Sequence, residues 1–170
     1  MPGSQNAVSR TGSFRAVVQA GATSTVYLRA GAGRPVLVLR RSTAPHPLWT
    51  PLITAVSDRF RVIAPEIEGG RDDFGQWLRH FLDGLGVPPV HILADEAMAA
   101  PAIGFAILEA DRVERLVVIS PDGPPAANEI IPSGPPVLLM RDDVPSEELI
   151  AAVMAFLEPA QSAPQLRRVV

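Results

Sequence analysis

Residues 90–120, VHILADEAMAAPAIGFAILEADRVERLVVIS, contain two apolar runs of strand type separated by a small-residue stretch of helical length. Val90–Leu93 and Arg115–Ser120 are short, continuous and rich in β-branched residues, the pattern of strands buried on both faces. Ala97–Glu109 between them is predicted to be a helix. A strand, a crossover helix and a second strand of this length form a parallel pair. That unit governs how the flanking runs are read.

Upstream, Pro35–Leu39 (PVLVL) and Arg61–Ala64 (RVIA) are further runs of buried-strand type. A helix is predicted between them over Leu48–Phe60, with Leu48, Leu52, Ile53 and Val56 on one stripe. A second is predicted over Asp72–Leu85, with Phe74, Trp77, Leu78, Phe81, Leu82 and Leu85 on one face. Nearer the start, Ser13–Gln19 and Thr25–Ala30 flank a turn at Ala20–Gly21–Ala22 and read as a hairpin. Downstream, a Pro/Gly-rich connector (Pro121–Pro135) precedes a strand at Pro136–Met140 and a helix over Ser146–Leu157. Ser146 is expected to cap that helix, Glu147 and Glu148 to favour the positive end of its dipole, and Pro159 to stop it. The alternation predicts an α/β fold: a three-layer sandwich with a mostly parallel central sheet flanked by helices. A single domain over residues 14–158 is expected, between flexible tails at 1–13 and 159–170. Sites in such sheets lie at the carboxyl ends of the strands.

Composition narrows the partners. The 170 residues carry a net charge of −3, which gives no electrostatic reason to expect nucleic acid. All fifteen cationic residues are arginine. With no cysteine, disulfides, thiolate metal sites and a cysteine nucleophile are excluded together. His46, His80 and His91 are scattered without metal-ligand spacing, so neither a metal nor a cofactor is expected. Gly31-Ala32-Gly33 precedes a strand, whereas a dinucleotide fingerprint follows one. No apolar run reaches the roughly 18 residues of a membrane span, and the first residues lack the apolar core of a secretory signal. A cytoplasmic protein without membrane contact is expected.

From about Tyr27 to Leu157 the order and spacing resemble the α/β-hydrolase fold family. GAGRPVLVLRR is similar to the family's Gly-rich entry into its third strand and the His-Gly after it. RFRVIAPEIEGG is similar to the fourth strand and its Pro-Asp-x-x-Gly loop, with Glu66 in place of Asp. VHILADEAMAAPAIGFAILEADRVERLVVIS matches the strand, elbow, helix and strand without a gap, and PVLLMRDD resembles the seventh strand and the acid-bearing turn. The resemblance implies a minimal, capless member. It also implies that the hydrolytic machinery is missing. The family's Gly-x-Ser-x-Gly elbow here reads Ala94, Asp95, Glu96, Ala97, Met98, so Glu96 stands at the nucleophile position. Arg40–Arg41 stand where the His-Gly pair belongs, and no histidine follows Val118 to serve as base. Loss of nucleophile, base and oxyanion loop together argues against serine hydrolysis.

The strand ends instead concentrate charge at Arg40, Arg41, Glu66, Glu68, Asp95, Glu96, Asp122, Arg141, Asp142 and Asp143. The resemblance brings Glu96 close to Arg40–Arg41. One expectation is a non-catalytic protein, its former site plugged by a Glu96–Arg40 pair and acting through small-molecule or protein binding. The other is an enzyme, a lyase, isomerase, cyclase or hydrolase, with Glu96 or Asp95 as acid–base catalyst. In it Arg40 and Arg41 bind an anionic group, with His46, Asp122 and Asp142 as further ligand contacts. A small anionic ligand is the expected small-molecule partner. A homodimer or a complex with a full-length hydrolase relative is expected to cover the open sheet edge.

Overall fold

A computed structural model of the chain describes residues 12–41, 46–67, 72–121 and 134–159. Among these, seven strands run as β1 (Phe14–Ala20), β2 (Thr23–Ala30), β3 (Pro35–Leu39), β4 (Arg61–Pro65), β5 (Val90–Asp95), β6 (Val113–Ser120) and β7 (Val137–Arg141). The helices are α1 (Trp49–Ser57), α2 (Phe74–Leu85), α3 (Glu96–Leu108) and α4 (Ser146–Leu157). The strands form one sheet in the order β1-β2-β4-β3-β5-β6-β7. β2 is antiparallel to both neighbours, and from β4 to β7 every pairing is parallel. The expected sandwich is the one the chain adopts.

The continuous apolar runs are explained by two cores, one on each face of the sheet. Leu37, Leu39, Ile92, Ala94, Leu116 and Val118 face a cluster with α2 and α3. Val36, Val38, Leu93, Val117 and Ile119 face a second cluster with α1 and α4. Successive strand residues point to opposite faces, so a strand covered on both has no polar alternation. The hairpin differs, because α2 covers only one of its faces. There Trp77 Nε1 donates to Thr25 Oγ1 at 3.0 Å, and Tyr27 meets Phe81 edge-on at 5.8 Å. Gly84 permits this close approach: a Cβ there would stand 2.3 Å from the Gln19 carbonyl oxygen. On the opposite face, Val17 and Leu28 are 64% and 46% exposed.

Element ends shift by a few residues for identifiable reasons. β5 runs on to Asp95 and β6 starts at Val113 because parallel pairing joins Asp95 to Ile119 and Val90 to Val113, beyond the apolar runs. α1 ends at Ser57 rather than Phe60, and the amides of Asp58 and Phe60 close onto the carbonyls of Ala55 and Val56. Ser146 is the first helical residue of α4 and makes no side-chain cap, Pro145 occupying the cap position. At the other end Glu158 is extended (ψ 137), as a residue before proline is driven to be. The expected tails fall largely outside the described residues, as do Glu68 and Asp122.

Candidate functional site

The register Leu39↔Ala94 sets Arg40 beside Asp95 at the carboxyl ends of β3 and β5, one strand spacing of about 4.8 Å apart. Asp95 is extended (φ −78, ψ 174) and the chain turns directly into α3. That conformation makes Asp95 an N-cap, aiming a carboxylate oxygen at the free amides of the first turn. Oδ1 accepts from the Met98 N–H at 3.0 Å, and Oδ2 accepts from the Arg41 N–H at 3.3 Å. One side chain thus caps the helix and ties it to the loop after β3.

Glu96 is the first residue of α3, and its side chain is exposed. The expected Glu96–Arg40 plug does not form: among the described residues no ion pair joins Glu96 to either arginine. Among the described residues, the carboxylate acting on Arg40 is that of Asp95. The reason is geometric, since Asp95 is the last strand residue and lies level with β3, whereas Glu96 has already entered the helix. The bend is also unstrained, because among the described residues no non-glycine residue has positive φ. Ala94 and Met98, which replace the family's glycines, are 0% and 2% exposed and belong to the core.

Arg40 is half-buried, its guanidinium 5.0 Å above the Trp49 ring. Burial pushes its pKa below the ordinary arginine value and the Asp95 carboxylate opposes that shift. Arg41 is exposed. His46 lies three residues before α1, its Nδ1 accepting from the Leu48 N–H at 3.2 Å and its carbonyl from the Thr50 N–H at 3.3 Å. That contact engages one of the two ring nitrogens offered as a ligand contact. Asp142 follows β7, two strands and about 10 Å from β5, so it does not join the Arg40–Asp95 pair. Its neighbours bind each other, with Arg141 Nε and Nη2 donating to Asp143 at 2.9 and 2.7 Å. Among the described residues no group of three His, Asp or Glu side chains gathers as a metal site, and no helix is long and apolar enough to cross a membrane.

Beside the Arg40 rim lies a cleft of about 550 Å³, between the hairpin, β4 and α1. Leu28, Val38, Ile53, Ala64 and Ile67 wall it, and Arg15, Arg40, Arg41 and Glu66 also line it. Arg15 Nη2 reaches across β2 to Glu66 Oε1 at 2.6 Å. Arg15, Leu28 and Ile53 were not legible as site residues. The available signal was the antiparallel alternation of the hairpin, which turns Arg15 and Leu28 to the face that α2 leaves open.

An antiparallel second strand, parallel crossovers and a strand-to-helix bend closing the central strand define an α/β-hydrolase fold, and this chain is an α/β-hydrolase-fold protein. No family profile matches it. Over 86 residues it is 31% identical to carboxylesterase YbfK of Bacillus subtilis (strain 168), covering 44% of this chain and 29% of that protein. Among solved structures it is similar to a serine hydrolase involved in carbazole degradation, the CarC enzyme (26% identity, TM-score 0.55, 64% of this chain and 48% of that one). It is also similar to the structure of carboxylesterase CesB (YbfK) from Bacillus subtilis (25% identity, TM-score 0.56, 63% and 42%). The chain therefore spans less than a third of the curated relative's length and under half of each of these solved chains.

Proposed function

We propose that this chain acts by binding rather than by serine hydrolysis. The observation carrying this reading is the double engagement of Asp95. A serine hydrolase of this fold uses a backbone N–H of the loop after its third strand to stabilise the developing oxyanion. Here the first N–H of that loop, that of Arg41, donates to the Asp95 carboxylate. Carboxylate-based catalysis finds less support, because an acid–base residue is tuned by enclosure, whereas Glu96 is exposed and Asp95 serves two amides.

A fluorophosphonate probe and a panel of p-nitrophenyl esters are expected to give no labelling and no turnover. Asp95→Ala removes the cap and the tether, so a loss of about 1 kcal/mol of stability is expected, still without turnover. Covalent labelling of any serine would overturn the reading.

Among the described residues β7 pairs only with β6, leaving its outer edge open. We propose that this edge is covered by a second copy of the chain or by a full-length hydrolase relative. Light scattering at micromolar concentration is expected to show a dimer for the isolated chain; a clean monomer counts against self-pairing.

A further inference from the structure

We infer that the cleft between the hairpin and α1 binds an amphiphilic anion, a carboxylate carried on an apolar body. This rests on the binding reading above and gives it a ligand class and a place. The cleft's volume of about 550 Å³ falls within the roughly 300–1,000 Å³ of small-molecule sites. Its walls are aliphatic, from Leu28, Val38, Ile53 and Ala64. Leu28 remains 46% exposed, and an apolar ligand body would remove that surface from water.

Charge selects the head group. Among the described residues, three arginines line the cleft against one carboxylate, that of Glu66. Arg15 pairs with Glu66 at 2.6 Å and neutralises it, and Asp95 faces Arg40 from outside the cleft, so the unbalanced positive charge is that of Arg41. Arg40 is oriented by its stacking on Trp49, and a guanidinium held in place loses little freedom when it takes up an anion. Among the described residues no carboxylate pairs with the Arg41 side chain, which is exposed beside it. A planar carboxylate fits a guanidinium through two parallel hydrogen bonds. A cationic head would be repelled, and an anion without an apolar body would leave the walls unused. Among the described residues the β5–α3 bend contributes no wall, so the cleft adjoins but does not include the position where a hydrolase places its nucleophile.

Isothermal titration with decanoate tests the inference, with acetate and decyltrimethylammonium as controls for tail and charge. Decanoate is expected to bind one to one, and each control at least tenfold more weakly. Arg41→Ala is expected to weaken decanoate binding about tenfold by removing a charge-assisted contact. Leu28→Glu, on an exposed wall, is expected to abolish it while the thermal transition stays in place. Absence of decanoate binding overturns the inference, as does binding that both variants leave unchanged or equal binding of the cationic control. Failure here without ester turnover removes the ligand class and leaves the non-hydrolytic reading standing. Fluorophosphonate labelling removes that reading instead.

Discussion

Between pH 7 and pH 4 the chain is expected to lose about 3 kcal/mol of folding stability through one side chain, His91. The residue lies in β5, 1% exposed, with the Phe60 ring edge-on at 5.8 Å. Burial pushes its pKa down from 6.5 to about 4; Glu114 pulls it back up, and Arg34 and Arg115 push it further down. Glu114 gives limited relief, because Arg34 Nη2 donates to both its oxygens at 2.7 and 2.6 Å and His91 Nε2 stands 3.5 Å away. The sign follows from proton counting. Above pH 6.5 the imidazole is neutral both folded and unfolded, and its full contribution is present. As pH falls from 6.5 toward 4 the unfolded chain takes up a proton that the folded chain refuses, and stability drains away. Urea unfolding at pH 7 and pH 4 reads this directly. His91→Leu should flatten the profile by about 3 kcal/mol and cost little at pH 7, because neither ring nitrogen has a hydrogen-bond partner among the described residues. Equal pH dependence in the two proteins would refute the assignment.

Gly31→Ala is expected to cost about 3 kcal/mol or more. Gly31 turns the chain from β2 into β3 with φ +72, and a Cβ there would lie 2.2 Å from the carbonyl oxygens of both Ser57 and Phe60. Those atoms are backbone at the end of α1, so relief requires moving the helix or the turn. Gly86 provides the contrast, with φ +59 and nothing within 4 Å of an added Cβ. Gly86→Ala should therefore show only the left-handed backbone penalty, about 1 kcal/mol. Thermal or urea denaturation of both variants measures the difference, and equal costs would mean that the α1 contact carries no weight.

The sequence revealed the fold where burial leaves a mark. Pro35–Leu39 and Arg61–Ala64 read as strands because both faces are covered, and Phe74–Leu85 reads as a helix because one face is. Strand ends were less visible, since Asp95 is held in β5 by its pairing with Ile119 rather than by its own character. That one residue decides the site. The spacing placed Glu96 at the bend, yet the contacts with β3 and its loop belong to Asp95, whose signal was an aspartate immediately before a helical run. The cleft was hidden for another reason. Arg15, Ile53 and Glu66 are far apart along the chain, and only the hairpin's register and its pairing with β4 bring their elements together.

Because the turn at the end of β5 is unstrained, a serine placed there would not by itself recreate a nucleophile elbow. Glu96→Ser alone would place a hydroxyl on a relaxed backbone, with a competing acid already holding the neighbouring amide. None of the three histidines is poised to take its proton: His46 Nδ1 is engaged by Leu48, His80 lies on α2, and His91 is sealed four residues back along the strand. Among the described residues, a hydroxyl at this bend has neither a proton acceptor nor a free Arg41 amide beside it.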